Sequence, residues 1–458
     1  MATSNSSAVP PGMEKFIVGI IGMGDMGKMY ARRLSDAGWS AFGSSIALGF
    51  QAIILIPGGR WLSMIVMACD KEDQYESLRE EFASRKESML RGFQTNIQIL
   101  RNGHLVSRAS DYIIYSVEAA AIDRVVAEYG PSTKLGAIVG GQTSCKDPEI
   151  KAFEDHLPAD VIIRHRASKE SFEKVETVLR CLHSTHVYLS AHEHDRITAD
   201  TQAVTHAAFL SMGKAWHSMR QFPWESARYV GGIENVKINL TLRIYSQKWH
   251  VYAGLAILNP EARKQIDQYA KSVTELYKLM LGGHLDELRA RVLAAKEKVF
   301  GKEHEPKWAD KPLLKDEVLD QFVLGGARSE HQEPLPNNHL SLLAMVDCWS
   351  ALGIVPYDHM ICSTPLFRLW LGVTEHLFRD AGRLDEALRI AVEDNTFRSD
   401  DLEFTFAARG WAECVGLGHF ETWKERFVVT QRFFEPRFPG AIEVGNAMVK
   451  AVLESTKD

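Results

Sequence analysis

No run of the chain stays apolar for the roughly 18 residues that a membrane span needs. The nearest approach lies in 40–65, where Ile53, Ile54, Leu55 and Ile56 are followed at once by Pro57, Gly58, Gly59 and Arg60. Positive charge is also scarce. Against 59 Asp and Glu there are 53 Lys and Arg, a net charge of −6, which argues against nonspecific nucleic-acid binding. Cysteine is sparse and scattered. Cys69, Cys145, Cys181, Cys348, Cys362 and Cys414 form no C-x-x-C pair, which suits free thiols in a reducing, cytoplasmic compartment. There is no internal repeat. The first residues, 1–14, are rich in Ser and Pro without a basic-then-apolar leader pattern, and a disordered tail is expected there. What is present is ordinary globular material: 458 residues, 45% apolar and 24% charged, enough for two or three domains.

The chain is organised around its first glycines. An apolar run from Phe16 to Ile21 meets Gly22-Met23-Gly24-Asp25-Met26-Gly27, and helix-compatible residues follow. The spacing G-x-G-x-x-G between a strand and a helix is that of a dinucleotide loop. The first glycine permits the turn, the second lets backbone approach a pyrophosphate, and the third lets helix and strand pack closely. The helix N-terminus then offers free N–H groups to phosphate. An acid is expected at the end of the next strand, and Asp70, after Val66-Met67-Ala68-Cys69, fills that place. It suits a ribose 2′-hydroxyl, whereas Lys71 beside it suits a 2′-phosphate, so residue chemistry leaves NAD and NADP open. Asp70 lies unusually far beyond Gly27, and the excess is 40–65, read as an insertion.

Residues 78–101 are charged and helical in pattern. Tyr112 to Val117 and Leu135 to Gly141 read as buried strands, with shorter ones at Val161-Ile162-Ile163 and Val187-Tyr188-Leu189. Ligands of open α/β sheets bind beyond the carboxyl ends of strands. That places Ser116, Gln142, Thr143 and Ser144 at the nicotinamide end, although Thr143-Ser144 equally suits a cap on the following helix. Beyond about residue 190 the pattern turns helical. Residues 200–222 look buried, Asn259-Pro260 opens a helix, and apolar residues recur at helical spacing from Ile266 to Met280 and from Leu285 to Val299. The expected architecture is an α/β Rossmann-type N-terminal domain (15–190), then an all-α substrate and dimerisation domain (191–300). A Pro-rich linker (301–338), with one short helix at 314–323, leads to a C-terminal helical extension (339–458), with helix-like segments at 339–352 and 366–378.

Three groups of residues bear on chemistry. His192-Glu193-His194-Asp195 fits no usual zinc spacing and reads as the solvated start of a helix, so no metal is expected. His206 stands in an apolar run, Ala203 to Phe209. It is either a satisfied core residue or a proton acceptor or substrate contact facing a cleft. Arg243 also has an apolar setting and needs an anionic partner, either a structural carboxylate or that of a substrate. Lys237, Lys248 and His250 nearby are compatible with an anionic substrate.

The segments Gly19–Gly27, Ser110–Glu118, Val139–Lys146, Ile197–Ala208, Trp249–Gly254 and Pro356–Pro365 resemble the fungal prephenate dehydrogenases, and the likeness covers nearly the whole chain. It implies NADP-dependent oxidative decarboxylation of prephenate to 4-hydroxyphenylpyruvate in tyrosine synthesis, by a homodimer. It also implies that Ser144 orients the substrate hydroxyl, that Arg243 holds a carboxylate and that His206 lines the cleft. Gly22 to Gly27, Asp70, Ser116 and Gln142 would hold NADP. One departure stands out. The family's His-Ser-Leu-His-Gly-Pro-like stretch, whose histidine accepts the hydroxyl proton, has no counterpart where this chain passes from Val161 to Ile162. A strand and loop are expected to be missing there. Two other readings remain open at this point. One is a β-hydroxyacid dehydrogenase, which shares the glycine motif but whose catalytic lysine has no counterpart here. The other is a non-catalytic relative that retains only binding. If 40–65 is an insertion carried over from non-coding sequence, the mature transcript will lack its codons. Clean peptide coverage of 40–65 in native protein would refute that reading.

Overall fold

The computed structural model describes residues 16–37, 65–88, 97–163, 167–226, 228–229, 231–301 and 337–455, with isolated positions between them. Nearly all of the expected insertion 40–65, of the N-terminal tail and of the 301–338 linker with its short helix lies outside these residues. The chain divides into two compact units, Met1–His192 and Glu193–Asp458.

The first unit is a parallel sheet of six strands: β1 (Ile17–Ile21), β2 (Ile65–Cys69), β3 (Ile97–Ile99), β4 (Tyr112–Tyr115), β5 (Ile138–Gly141) and β6 (Ile162–Ile163). Their spatial order is β3-β2-β1-β4-β5-β6. The order reverses between β1 and β4, which is where such sheets open a ligand crevice. The register sets Ile21 beside Cys69 on one side and Tyr115 on the other, so Gly22 emerges at that reversal. Strand residues alternate between two apolar cores. Val18, Ile20, Val66, Ala68, Tyr112 and Ile114 face one layer of helices. Ile21, Cys69, Ile113, Tyr115 and Val139 face the other, as a sheet covered on both sides requires.

Three local expectations are corrected. The helix expected over 78–101 is Tyr75–Ser88, and Ile97–Ile99 is instead the edge strand β3, paired with β2. The run Val187-Tyr188-Leu189 forms no strand. It joins no ladder among the described residues, and Tyr188 is 66% exposed. A β-propensity run becomes a strand only where a partner supplies hydrogen bonds. Thr143 and Ser144 do not cap the next helix, Asp147–His156, whose N-cap is Lys146 with no side-chain bond. At the Val161–Ile162 junction, β6 is present but only two residues long.

The second unit is helical, and 339–458 packs into the core that begins at Ala199. One cluster runs from Ala199 to Met448. The helix Arg398–Leu417 lies against both Val204–Met219 and Pro260–Leu281. Trp411 Nε1 and Tyr245 Oη both donate to the Leu210 carbonyl, at 3.1 and 2.8 Å. Asn259 caps the helix at Pro260 as expected, its Oδ1 accepting from Glu261 N and Ala262 N at 3.0 and 3.3 Å. The helices expected at 285–299, 339–352 and 366–378 are Leu285–Phe300, Leu340–Leu352 and Pro365–Arg379. Trp423 is fully buried, stacked on Phe427 with centroids 5.4 Å apart and tilted against Trp411 at 5.0 Å. Trp423→Ala is therefore expected to cost about 3–5 kcal/mol, read as a lowered urea midpoint for the helical unit. A loss below about 1 kcal/mol would mean that this aromatic stack is not structural.

Candidate active site

In the first unit the glycine loop is built as its spacing demands. Gly22 has φ of +98°, and a side chain there would run into the Ser116 carbonyl. A Cβ on Gly27 would collide with the Gly22 carbonyl, so the loop closes by backbone contact. Gly24 differs. A Cβ there would meet nothing within 4 Å, and Gly24 is the N-cap of the helix Asp25–Asp36 without a side-chain cap bond. Open space before unpaired helical N–H groups fits a pyrophosphate. Asp25 and Met26 are exposed beside it, while Met23 turns its side chain into the core.

Asp70, at the end of β2, has a task that sequence reading missed. Its Oδ2 accepts from Met23 N at 2.7 Å and its Oδ1 from Lys71 N at 2.8 Å, so it braces the glycine loop. Lys71 is exposed beside it. Ser116 follows β4, its N–H donating to Ile21 O at 2.8 Å, with its hydroxyl next to Gly27. Gln142 Oε1 accepts from Tyr30 Oη at 2.7 Å. Ser144 is half-buried in the turn beyond β5. A buried acid holds that turn. Glu149 accepts from Thr143, from its N–H at 3.2 Å and also from its hydroxyl. Lys146 Nζ bridges Glu149 Oε2 and Gly141 O, both at 3.1 Å.

In the second unit, His206 and Arg243 both border Tyr252. His206 sets its ring edge against Tyr252, centroids 4.8 Å apart and planes at 88°. It lines a small apolar cavity with Leu210, Tyr252, Leu255, Ile266 and Trp411, and its Nδ1 has no hydrogen-bond partner. Burial lowers its pKa to about 4, so the imidazole is neutral at neutral pH. Neutral imidazole can donate or accept a hydrogen bond, but with that pKa it is a poor proton acceptor. Arg243 is half-buried at the last turn of Ile233–Tyr245. Its positive charge bears on the Tyr252 hydroxyl. Its Nη1 donates to Asn446 Oδ1 at 2.6 Å, and no carboxylate pairs with it among the described residues. Lys237 belongs elsewhere. It is buried, with Nζ 2.7 Å from Glu234 Oε1 and 3.1 Å from His339 Nδ1. The His192–Asp195 cluster lies on the helix Ala191–Thr198, with His194 Nδ1 2.9 Å from Asp195 Oδ1.

Just before His206 the helix widens into one π-helical stretch, Ala199–Ala203, a form frequent at functional sites. Asp200 on it is buried, 2.9 Å from His359 Nε2, and also accepts from Gln265 Nε2. No local signal announces this contact, because its members come from three distant segments.

A glycine-cornered parallel α/β unit followed by a helical unit with a half-buried arginine defines a nucleotide-dependent dehydrogenase architecture. A family profile describing a 6-phosphogluconate dehydrogenase C-terminal domain, of the form found in tyrosine-pathway enzymes, matches residues 203–454. The chain is 51% identical over 463 residues to a probable NADP(+) prephenate dehydrogenase of Schizosaccharomyces pombe, covering 96% of this chain and 99% of that one. It is 48% identical over 469 residues to the NADP(+) prephenate dehydrogenase of Saccharomyces cerevisiae, covering 96% and 95%. A solved prephenate dehydrogenase of A. aeolicus, with hydroxyphenyl propionate and NAD+, aligns with 62% of this chain and 96% of its own at 14% identity and a TM-score of 0.44. The chain belongs to the prephenate dehydrogenase family of the fungal NADP-dependent type.

The loop geometry separates two glycine substitutions. Gly22→Ala combines a positive φ with a backbone clash and is expected to lower the melting temperature of the first unit. Gly24→Ala should leave melting unchanged yet weaken NADP binding at least tenfold, about 1.4 kcal/mol, measured by fluorescence titration. Unchanged affinity in Gly24→Ala would remove the phosphate from that loop.

Proposed function

We propose that this chain catalyses the NADP-dependent oxidative decarboxylation of prephenate to 4-hydroxyphenylpyruvate, a step of aromatic amino-acid synthesis. The observation that carries the reading is 51% identity to a probable enzyme of that name across 96% of the chain. The glycine loop and the Asp25–Asp36 helix N-terminus would hold the pyrophosphate, with Asp70, Ser116 and Gln142 around it and Lys71 available to a 2′-phosphate. Bound NADP+ supplies the hydride acceptor. The substrate gives up hydride from the carbon bearing its ring hydroxyl and loses the hydroxyl proton. The ring carboxylate departs as carbon dioxide, and aromatisation makes the step strongly downhill.

In this reading Ser144 orients the hydroxyl through a hydrogen bond. Arg243 binds a substrate carboxylate, supported by its neutral partner Asn446, which leaves the guanidinium charge uncompensated. His206, neutral in its apolar setting, contacts substrate as a hydrogen-bonding group and does not take up the proton. Absence of the family's histidine-bearing stretch favours slow turnover, roughly 10²–10⁴ below an enzyme that has it. A non-catalytic binder is the limit of that reading. The reading further includes a homodimer and a cytoplasmic setting, the latter supported by six free cysteines.

Purified protein given prephenate and NADP+ is expected to form reduced cofactor, carbon dioxide and 4-hydroxyphenylpyruvate. NADP binding with no product at any enzyme concentration would establish the binder instead. Arg243→Ala should raise KM for prephenate about 10–100-fold, as loss of a charge-assisted bond predicts, with NADP affinity unchanged. An unaltered KM would take Arg243 out of the substrate site.

A further inference from the structure

A second cavity, of about 110 Å³, opens within the helical unit. It lies along the helix Val204–Met219 beyond the His206 turn, and Met212, Trp216 and Phe404 are among its apolar walls. Among the described residues its charged lining pairs off with one exception. Lys237 is paired with Glu234 at 2.7 Å. Arg228 grips both oxygens of Asp400, at 2.9 and 3.1 Å. Asp401 remains. It is 8% exposed, lines the cavity, and receives one side-chain hydrogen bond, from the neutral amide Asn338 Nδ2 to Oδ2 at 2.7 Å. A buried carboxylate held only by an amide lacks the counter-charge that such burial ordinarily demands.

We propose that this cavity is a binding site for a small monocationic amine, a protonated ammonium on an apolar body, with the ammonium on Asp401 and the body against Met212, Trp216 and Phe404. The site is separate from the residues proposed for catalysis and stands whether or not that reading holds. A dianionic substrate is a poor occupant, since the cavity has no uncompensated cation to receive it among the described residues. A neutral apolar ligand would leave Asp401 without a counter-charge.

The electrostatics give the binding a pH signature. Burial raises Asp401 to about 7, the neighbouring Asp400 adding to this while Asn338, Arg398 and Lys237 oppose it. The other titratable groups around it do not share that range. Burial would raise Glu234, but Lys237 and His339 outweigh it and hold it at about 2. Burial and Lys237 hold His339 below its usual value, and burial raises the Tyr277 hydroxyl. Arg398 gives its Nη2 to the Ala391 and Val392 carbonyls, at 3.1 and 3.3 Å. Asp401 therefore gains charge as pH rises through neutrality, and a cation that stays protonated should bind more tightly in the same direction.

The test uses the full chain with phenethylamine as probe and 2-phenylethanol as its uncharged counterpart, followed by calorimetry and saturation-transfer NMR. Phenethylamine affinity is expected to rise about tenfold from pH 6 to pH 8, following the ionised fraction of a carboxyl near neutrality, while any 2-phenylethanol binding stays flat. Asp401→Asn should reduce phenethylamine binding at pH 8 at least tenfold and leave NADP affinity and prephenate turnover as they were. The wild-type pH series decides the matter even if Asp401→Asn fails to fold. Equal binding of amine and alcohol, a flat pH profile, undiminished binding in a folded Asp401→Asn, or no amine binding up to millimolar concentration would each overturn the proposal.

Discussion

The nucleotide end of this protein depends on backbone meeting backbone. The carbonyl of Gly22 occupies the space that a side chain on Gly27 would need, and the carbonyl of Ser116 does the same for Gly22. These contacts draw the start of the Asp25–Asp36 helix onto the ends of β1 and β4, where the strand order reverses. They also determine where the helix N–H groups point. Asp70 completes the arrangement from the neighbouring strand, its carboxylate fixing Met23 N. The acid expected to read a ribose thus first secures the loop that reads the phosphates. With two oxygens and several lone pairs, one carboxylate can do both.

Each unit supports its site with a buried polar cluster, and the two clusters differ in reach. Beyond β5, Glu149, Thr143 and Lys146 lie within one turn and the start of one helix, so the chain tightens locally around Ser144. Around His206 the support comes from afar, with Asp200, Gln265 and His359 joining three separate helical segments. A π-helical stretch adds a residue to the helix, and such insertions persist where surrounding contacts stabilise them. Asp200 lies within that stretch and is held from two sides, which accounts for its persistence one turn before His206.

What could be read from sequence follows the same division between local and distant. The glycine spacing, the buried strands β1, β4 and β5, and the Asn259 cap were legible because their causes are contiguous residues. Ile97–Ile99 was hidden in a charged helical pattern because a three-residue edge strand has too little sequence to show a period. Val187-Tyr188-Leu189 had strand composition but no neighbour to pair with. Lys237 and Arg243 looked alike, two cations in one apolar helix. Sequence marks such residues as needing partners without saying which face each occupies. Glu149, Asp200 and His359 were not singled out, because the partners that bury them are chosen by packing.

The divergence of those two cations bears on substrate binding. Lys237 has a carboxylate at 2.7 Å, and Arg291 has another, held through two bonds at 2.7 and 2.8 Å to Asp347. Their charge is spent inside the fold, where removing one partner would strand the other. Arg243 is secured by an amide oxygen instead. An amide orients a guanidinium without cancelling its field, so the charge remains available to an incoming carboxylate while its position is already fixed. Preorganisation of this kind reduces what binding must supply in ordering the side chain. The neutral imidazole of His206, across Tyr252, adds no competing positive charge. The helical unit thus compensates the cations that serve its packing and leaves one oriented but uncompensated beside Tyr252, which is the electrostatic pattern that recognition of an anionic substrate requires.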